Sequence, residues 1–134
     1  MQGLHLTADL FDCTCDARWL LDADALGAWC AQAVARAGLQ AVAQLCHTFP
    51  ASAQEPGGVT ATILLAESHL CVHTWPEQRA VTLDVYVCNF GGDHSAKAQA
   101  LLDELITLFQ PGNTQQHRLQ RGTLKAASQT PAGC

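Results

Sequence analysis

Residues 64–77 read Leu-Leu-Ala-Glu-Ser-His-Leu-Cys-Val-His-Thr-Trp-Pro-Glu and concentrate groups able to do chemistry. Ser68 offers a hydroxyl nucleophile, His69 and His73 imidazoles, Cys71 a thiol, Glu67 and Glu77 carboxylates; Cys88 follows Ser68 by twenty residues. A polar sheet face, a metal site and nucleophilic catalysis are all open to such a set. On a strand, His69 and His73 share a face but stand ~13 Å apart, too far to chelate one ion. Cys13 and Cys15 form a C-x-C pair without a second pair at zinc-like spacing. A serine–histidine hydrolase would place its serine in a G-x-S-x-G elbow, and the context here is Ala66-Glu67-Ser68-His69-Leu70. Ser68, His73 and Cys88 can converge on one sheet face; residue types and spacing go no further.

The elements that must position these residues follow from periodicity. "LHLTADLF" alternates as a strand, with Leu4, Leu6, Ala8 and Leu10 on one side. "DADALGAWCAQAVARAG" sets Leu26, Trp29, Ala33 and Ala37 at helical spacing, with Asp22 or Asp24 to cap its start and Gly38 its end. "LQAVAQLCHTF" is a second strand, and Val59 to Cys88 reads as three strands joined by turns. A second helix carries Leu101, Leu102, Leu105, Ile106 and Phe109 and stops at Pro111-Gly112. "QQHRLQRG" reads as a last short strand and residues 123–134 as a frayed tail. Two helices cannot cover both faces of such a sheet. The expected fold is therefore α+β, a two-layer sandwich of an antiparallel-rich sheet with both main helices on one face, in a single domain over 1–122.

Strand parity assigns the faces. Val81, Leu83, Val85 and Val87 oppose Thr82, Asp84, Tyr86 and Cys88; Leu70, Val72 and Thr74 oppose His69, Cys71, His73 and Trp75; Val59, Ala61, Ile63 and Leu65 oppose Thr60 and Thr62. The apolar sets face the helices, so polar and reactive groups from three strands share the face the helices leave open.

Composition narrows the partners. The 134 residues are 49% hydrophobic and 14% charged, with a net charge of −5 and no basic run, which excludes nucleic acid and anionic membrane as expected partners. So low a charged fraction suggests that a second subunit covers some apolar surface. The N-terminus lacks the basic and apolar regions of a signal peptide, and no stretch is apolar and long enough to span a bilayer. Seven cysteines without an export signal are expected to be reduced thiols in the cytoplasm.

"GGVTATILLAESHLCVHTWPE" at 57–77 together with "LDVYVCNF" at 83–90 resembles the prokaryotic S-adenosylmethionine decarboxylase proenzyme family, in which E-S-H is followed by H-T-W-P-E and then a D-V-x-x-C strand. The likeness runs in order from about Gly3 to Gly122 and includes "GLHLTADLFDC". It implies cleavage between Glu67 and Ser68 into a β chain, 1–67, and an α chain, 68–134. Ser68 Oγ would attack the Glu67 carbonyl, loss of the Ser68 α-proton would expel Glu67 as a carboxylate, and loss of ammonia would leave a covalent pyruvoyl group (pyruvate) at residue 68. That group would form a Schiff base with the substrate amine and draw in electrons as CO₂ leaves.

The resemblance assigns His73 as proton acceptor in processing, Thr60 as its support, and Cys88 as proton donor to the decarboxylated carbon. A thiol of ordinary pKa, ~8.5, holds its proton at neutral pH and gives it up readily to a carbanion. Glu77, Trp75 and Phe49 fall where substrate contacts are expected, Cys71 has no role, and no metal is expected. The implied substrate is S-adenosylmethionine, its product an aminopropyl donor for spermidine, and the implied assembly a dimer of αβ units. Gln78-Arg79, Asn89 and Ala61 depart from the common Tyr-Gly, Gly and Gly, and Arg79 would disfavour a sulfonium cation if it pointed inward. Decarboxylation of ornithine or arginine on the same scaffold, or a non-cleaving dimer partner without activity, are the alternatives.

Overall fold

A computed structural model describes residues 2–122. The elements are β1 (Gly3–Phe11), α1 (Arg18–Leu21), α2 (Ala23–Arg36), β2 (Ala41–Thr48), β3 (Val59–Leu65), β4 (Ser68–Trp75), a 3-10 turn at Pro76–Gln78, β5 (Ala80–Cys88), α3 (Ser95–Phe109) and β6 (Asn113–Arg121). The six strands form one sheet in the order β2-β3-β4-β5-β1-β6, every neighbour antiparallel. Helix α2 packs over β2 and β3, and α3 over β1 and β5, so both main helices lie on one face, as the periodicity predicts.

Helix α2 starts where Asp22 Oδ1 accepts the Ala25 N–H at 3.0 Å, which selects Asp22 over Asp24 as the cap. Its buried line is Leu26, Cys30, Ala33 and Val34. Trp29 flanks that line rather than lying in it and meets Trp19 edge-on at 6.5 Å. Helix α3 buries Ala98, Leu101, Leu102, Leu105 and Phe109 and ends one residue before Pro111, at Gln110 in the left-handed conformation. One feature escapes the periodicity. Helix α1 is a single turn, too short for a repeat to register. The expected last strand is present as β6, polar but for Leu119, and it pairs with β1 from Asn113 to Arg121, two residues earlier than the sequence reading starts it. The expected tail at 123–134 lies outside the described residues.

The parity assignment holds in the central strands. Leu4, Leu6, Ala8 and Leu10 join Val59, Ala61, Ile63, Leu70, Val72, Val81, Val85 and Val87 in the core under the helices. Thr74 is the one polar side chain buried among the described residues. Its Oγ1 accepts the Val59 N–H at 2.8 Å and donates to the Leu20 carbonyl at 2.7 Å, so one hydroxyl ties β3 to α1 through β4. The opposite face carries His5, Thr60, His69, Cys71, His73, Asp84 and Tyr86 in half-buried positions, with Leu45, Leu64 and Leu119 exposed beside them. No helix of the described residues is long and apolar enough to cross a membrane.

Candidate active site

The turn from β3 to β4 consists of two residues, Ala66 and Glu67, closed by the pair Leu65 and Ser68. Glu67 has φ 57°, a left-handed conformation that glutamate adopts at a cost of roughly 1 kcal/mol. The peptide bond after it is therefore held next to backbone strain. Ser68 opens β4, and its Oγ accepts the Cys88 backbone N–H at 3.0 Å. Glu67, Ser68, Cys88, Phe90 and His94 border a cleft of about 440 Å³ at this end of the sheet.

His73 lies near the opposite end of β4, facing Thr60 across the ladder, with Thr60 Oγ1 3.0 Å from its Nδ1. Phe49, Thr60, His73, Trp75 and Glu77 border a second cavity of about 560 Å³. Five residues of strand separate His73 from Ser68, about 17 Å at 3.4 Å per residue. The two also have opposite parity. The structure thus brings Ser68 to Cys88, and His73 to Thr60, Phe49, Trp75 and Glu77. The expected convergence of Ser68, His73 and Cys88 on one face does not occur within one chain, because an even offset would be needed to share a face and a short one to share a site.

Between the two ends, Asp84 Oδ2 accepts from His5 Nε2 at 2.8 Å and from His69 Nε2 at 2.7 Å. Three ligand-type atoms within 4.8 Å of one another resemble a metal site. The tautomer argues otherwise: Arg121, which can only donate, stands 3.3 Å from His5 Nδ1 and leaves the ring hydrogen on Nε2, pointing at Asp84. Arg121, His5, Asp84 and His69 form a hydrogen-bonded network, with Tyr86 packed against both rings.

Burial makes four of the other thiols, Cys13, Cys15, Cys30 and Cys71, poor nucleophiles. Burial pushes Cys13 up to about 11 and Cys30 up to about 12, and raises Cys71 as well, so each stays protonated and a poor nucleophile or ligand near neutral pH. Arg79 donates to the carbonyls of Cys13, at 2.6 Å, and Cys15, so its guanidinium is tied to the β1–α1 connection rather than to either cavity. His94 also borders the Ser68 cleft, a placement that sequence spacing does not indicate. Its signal is topological: the loop leaving Cys88 leads directly into α3, and His94 stands at the start of that helix beside the cleft.

The family model described as S-adenosylmethionine decarboxylase matches residues 4–122. Among curated relatives, S-adenosylmethionine decarboxylase proenzymes from Picrophilus torridus and Aquifex aeolicus are 34% and 35% identical to this chain. The alignments cover 90% and 94% of this chain and 85% of each relative. A proenzyme of the same name from Parasynechococcus marenigrum is 41% identical over 78% of this chain and 77% of its own. The crystal structure of the adenosylmethionine decarboxylase from Aquifex aeolicus superposes with a TM-score of 0.78 at 32% identity, covering 94% of this chain and 95% of that one.

Proposed function

The chain belongs to the S-adenosylmethionine decarboxylase family, and we propose that it cleaves itself between Glu67 and Ser68 and uses residue 68 as its catalytic carbonyl. It is an enzyme, a decarboxylase of S-adenosylmethionine made as a proenzyme. The observation that carries the cleavage reading is the placement of Ser68: it follows a left-handed Glu67, and its hydroxyl is held by the Cys88 N–H.

Self-cleavage is chemistry of the chain's own atoms. Ser68 Oγ attacks the Glu67 carbonyl carbon, the Glu67–Ser68 C–N bond breaks, and the amine so formed keeps the proton. A base then takes the Ser68 α-hydrogen, the Cβ–Oγ bond breaks, and Glu67 leaves with both oxygens as a carboxylate. Water replaces the nitrogen, ammonia departs, and a pyruvoyl group caps an α chain of residues 68–134, the β chain being 1–67. The cleft that Ser68 and Cys88 border has room for this group. Once formed, it supplies a ketone for the substrate amine and an electron sink for the pair released with CO₂. Cys88 holds the proton that the substrate carbon receives.

His73 is the base in this reading, and the 17 Å to its own Ser68 requires a second copy. A partner laid end for end on the open sheet face carries its Thr60–His73 pair to the Ser68 end of the first, and the two-fold makes the exchange mutual. Leu45, Leu64 and Leu119, 76%, 48% and 58% exposed, support burial of that face. In the Thr60–His73 pair, Nδ1–H donating to the threonine leaves Nε2 free to accept a proton. The cavity of Phe49, Trp75 and Glu77 then takes the adenosyl part of the substrate: aromatic rings for adenine, a carboxylate for the ribose hydroxyls. The product is an aminopropyl donor of the kind spermidine synthesis consumes. Six free thiols among the described residues support a reducing, cytoplasmic setting.

Ser68→Ala tests the assignment. The variant should remain one chain of 134 residues and release no CO₂ from carboxyl-labelled S-adenosylmethionine; cleavage or turnover in it would refute the reading.

A further inference from the structure

We propose that His94 binds the α-carboxylate of the substrate through its Nε2–H; the inference rests on the reading of residue 68 as the carbonyl that captures the substrate amine. The carboxylate of an α-amino acid sits on the carbon bonded to that amine. Capture of the amine at residue 68 therefore draws the carboxylate into the cleft between Ser68 and Cys88. Leu65 and Phe90 offer it nothing there, and Glu67 repels it, more so once cleavage adds a terminal carboxylate. Gln40 and His94 are the lining side chains, among the described residues, that carry N–H groups.

His94 is the one whose place is fixed. Its backbone N–H donates to Asn89 Oδ1 at 2.9 Å, Asn89 Nδ2 reaches Ser95 Oγ at 3.4 Å, and the Asn89 N–H donates to the Gln2 carbonyl at 2.7 Å. The loop carrying the imidazole is thereby pinned to the start of β1 and the start of α3. The ring Nδ1 is shut off from solvent and has no hydrogen-bond partner. An orphaned buried N–H is rarer and costlier than an unpaired acceptor, so the ring hydrogen belongs on Nε2. The neutral donor suits the reaction. It orients the carboxylate without a full counter-charge, which would stabilise the anion that must be lost as CO₂.

The test compares two ligands that differ by the carboxylate. In His94→Ala, self-cleavage followed by intact mass should be complete. KM for S-adenosylmethionine should rise roughly tenfold, the loss of one charge-assisted hydrogen bond. Inhibition by decarboxylated S-adenosylmethionine, which lacks the carboxylate, should change less than ~2-fold. His94→Gln should recover most of the lost affinity. Equal weakening toward both ligands, an unchanged KM, or failure of His94→Ala to cleave while His94→Gln cleaves would each overturn the assignment. Absence of CO₂ release from the unaltered protein would instead overturn the function on which it rests.

Discussion

The Cys88 backbone N–H donates to Ser68 Oγ at 3.0 Å, across twenty residues of sequence. In the proposed mechanism one position would serve two events with different atoms: its main chain holds the hydroxyl that would cut the chain, and its side chain would supply the proton to the substrate. Cys88→Ala keeps the N–H and removes the thiol. Cleavage should proceed at close to its normal rate, while kcat falls ~100-fold or more, the usual worth of a positioned proton donor. Quenched-flow cleavage and labelled CO₂ release separate the two, and equal loss of both would deny the division of labour.

The five-residue offset between Ser68 and His73 makes a second prediction. Alone, Ser68→Ala and His73→Ala should each stay uncleaved. Co-expressed, they should form mixed dimers in which His73 of the partner subunit, on the Ser68→Ala chain, serves Ser68 of the other, and the His73→Ala chain should cleave. Mass spectrometry identifies which chain is cut. No cleavage in the mixture would place the base within its own chain and contradict the shared site.

Thr74 sets a stability prediction independent of function. Thr74→Val leaves the Val59 N–H and the Leu20 carbonyl without partners, both on residues 1% exposed. The loss should be about 2 kcal/mol, read in urea unfolding of the Ser68→Ala background so that a single chain is compared. Thr74→Ser, which retains the hydroxyl, should lose less than half of that.

What the sequence made legible was periodic. Leu4 to Leu10, Val81 to Val87 and the buried line of α3 declare themselves by spacing, and the motif around Ser68 suggests the proposed cleavage point. Legibility ended where position depends on pairing rather than pattern. The last strand is read from Gln115, and its start at Asn113 is set by pairing with Phe11 rather than by any pattern of its own. His73 and Ser68, five apart in sequence, read as neighbours although an extended strand carries them to opposite ends of the sheet. His94, twenty-six residues from Ser68, reads as remote although the loop after β5 returns it to the same cleft. Arg79 reads as a threat to a cationic substrate, and only the fold shows its guanidinium spent on the carbonyls of Cys13 and Cys15.

The most direct measurement is the intact mass of freshly purified protein with and without a hydrazide probe. The account predicts two chains, the one beginning at residue 68 lighter than its encoded mass by one ammonia, and that chain alone gaining the label. A single mass matching all 134 encoded residues, with no label taken up, would contradict it.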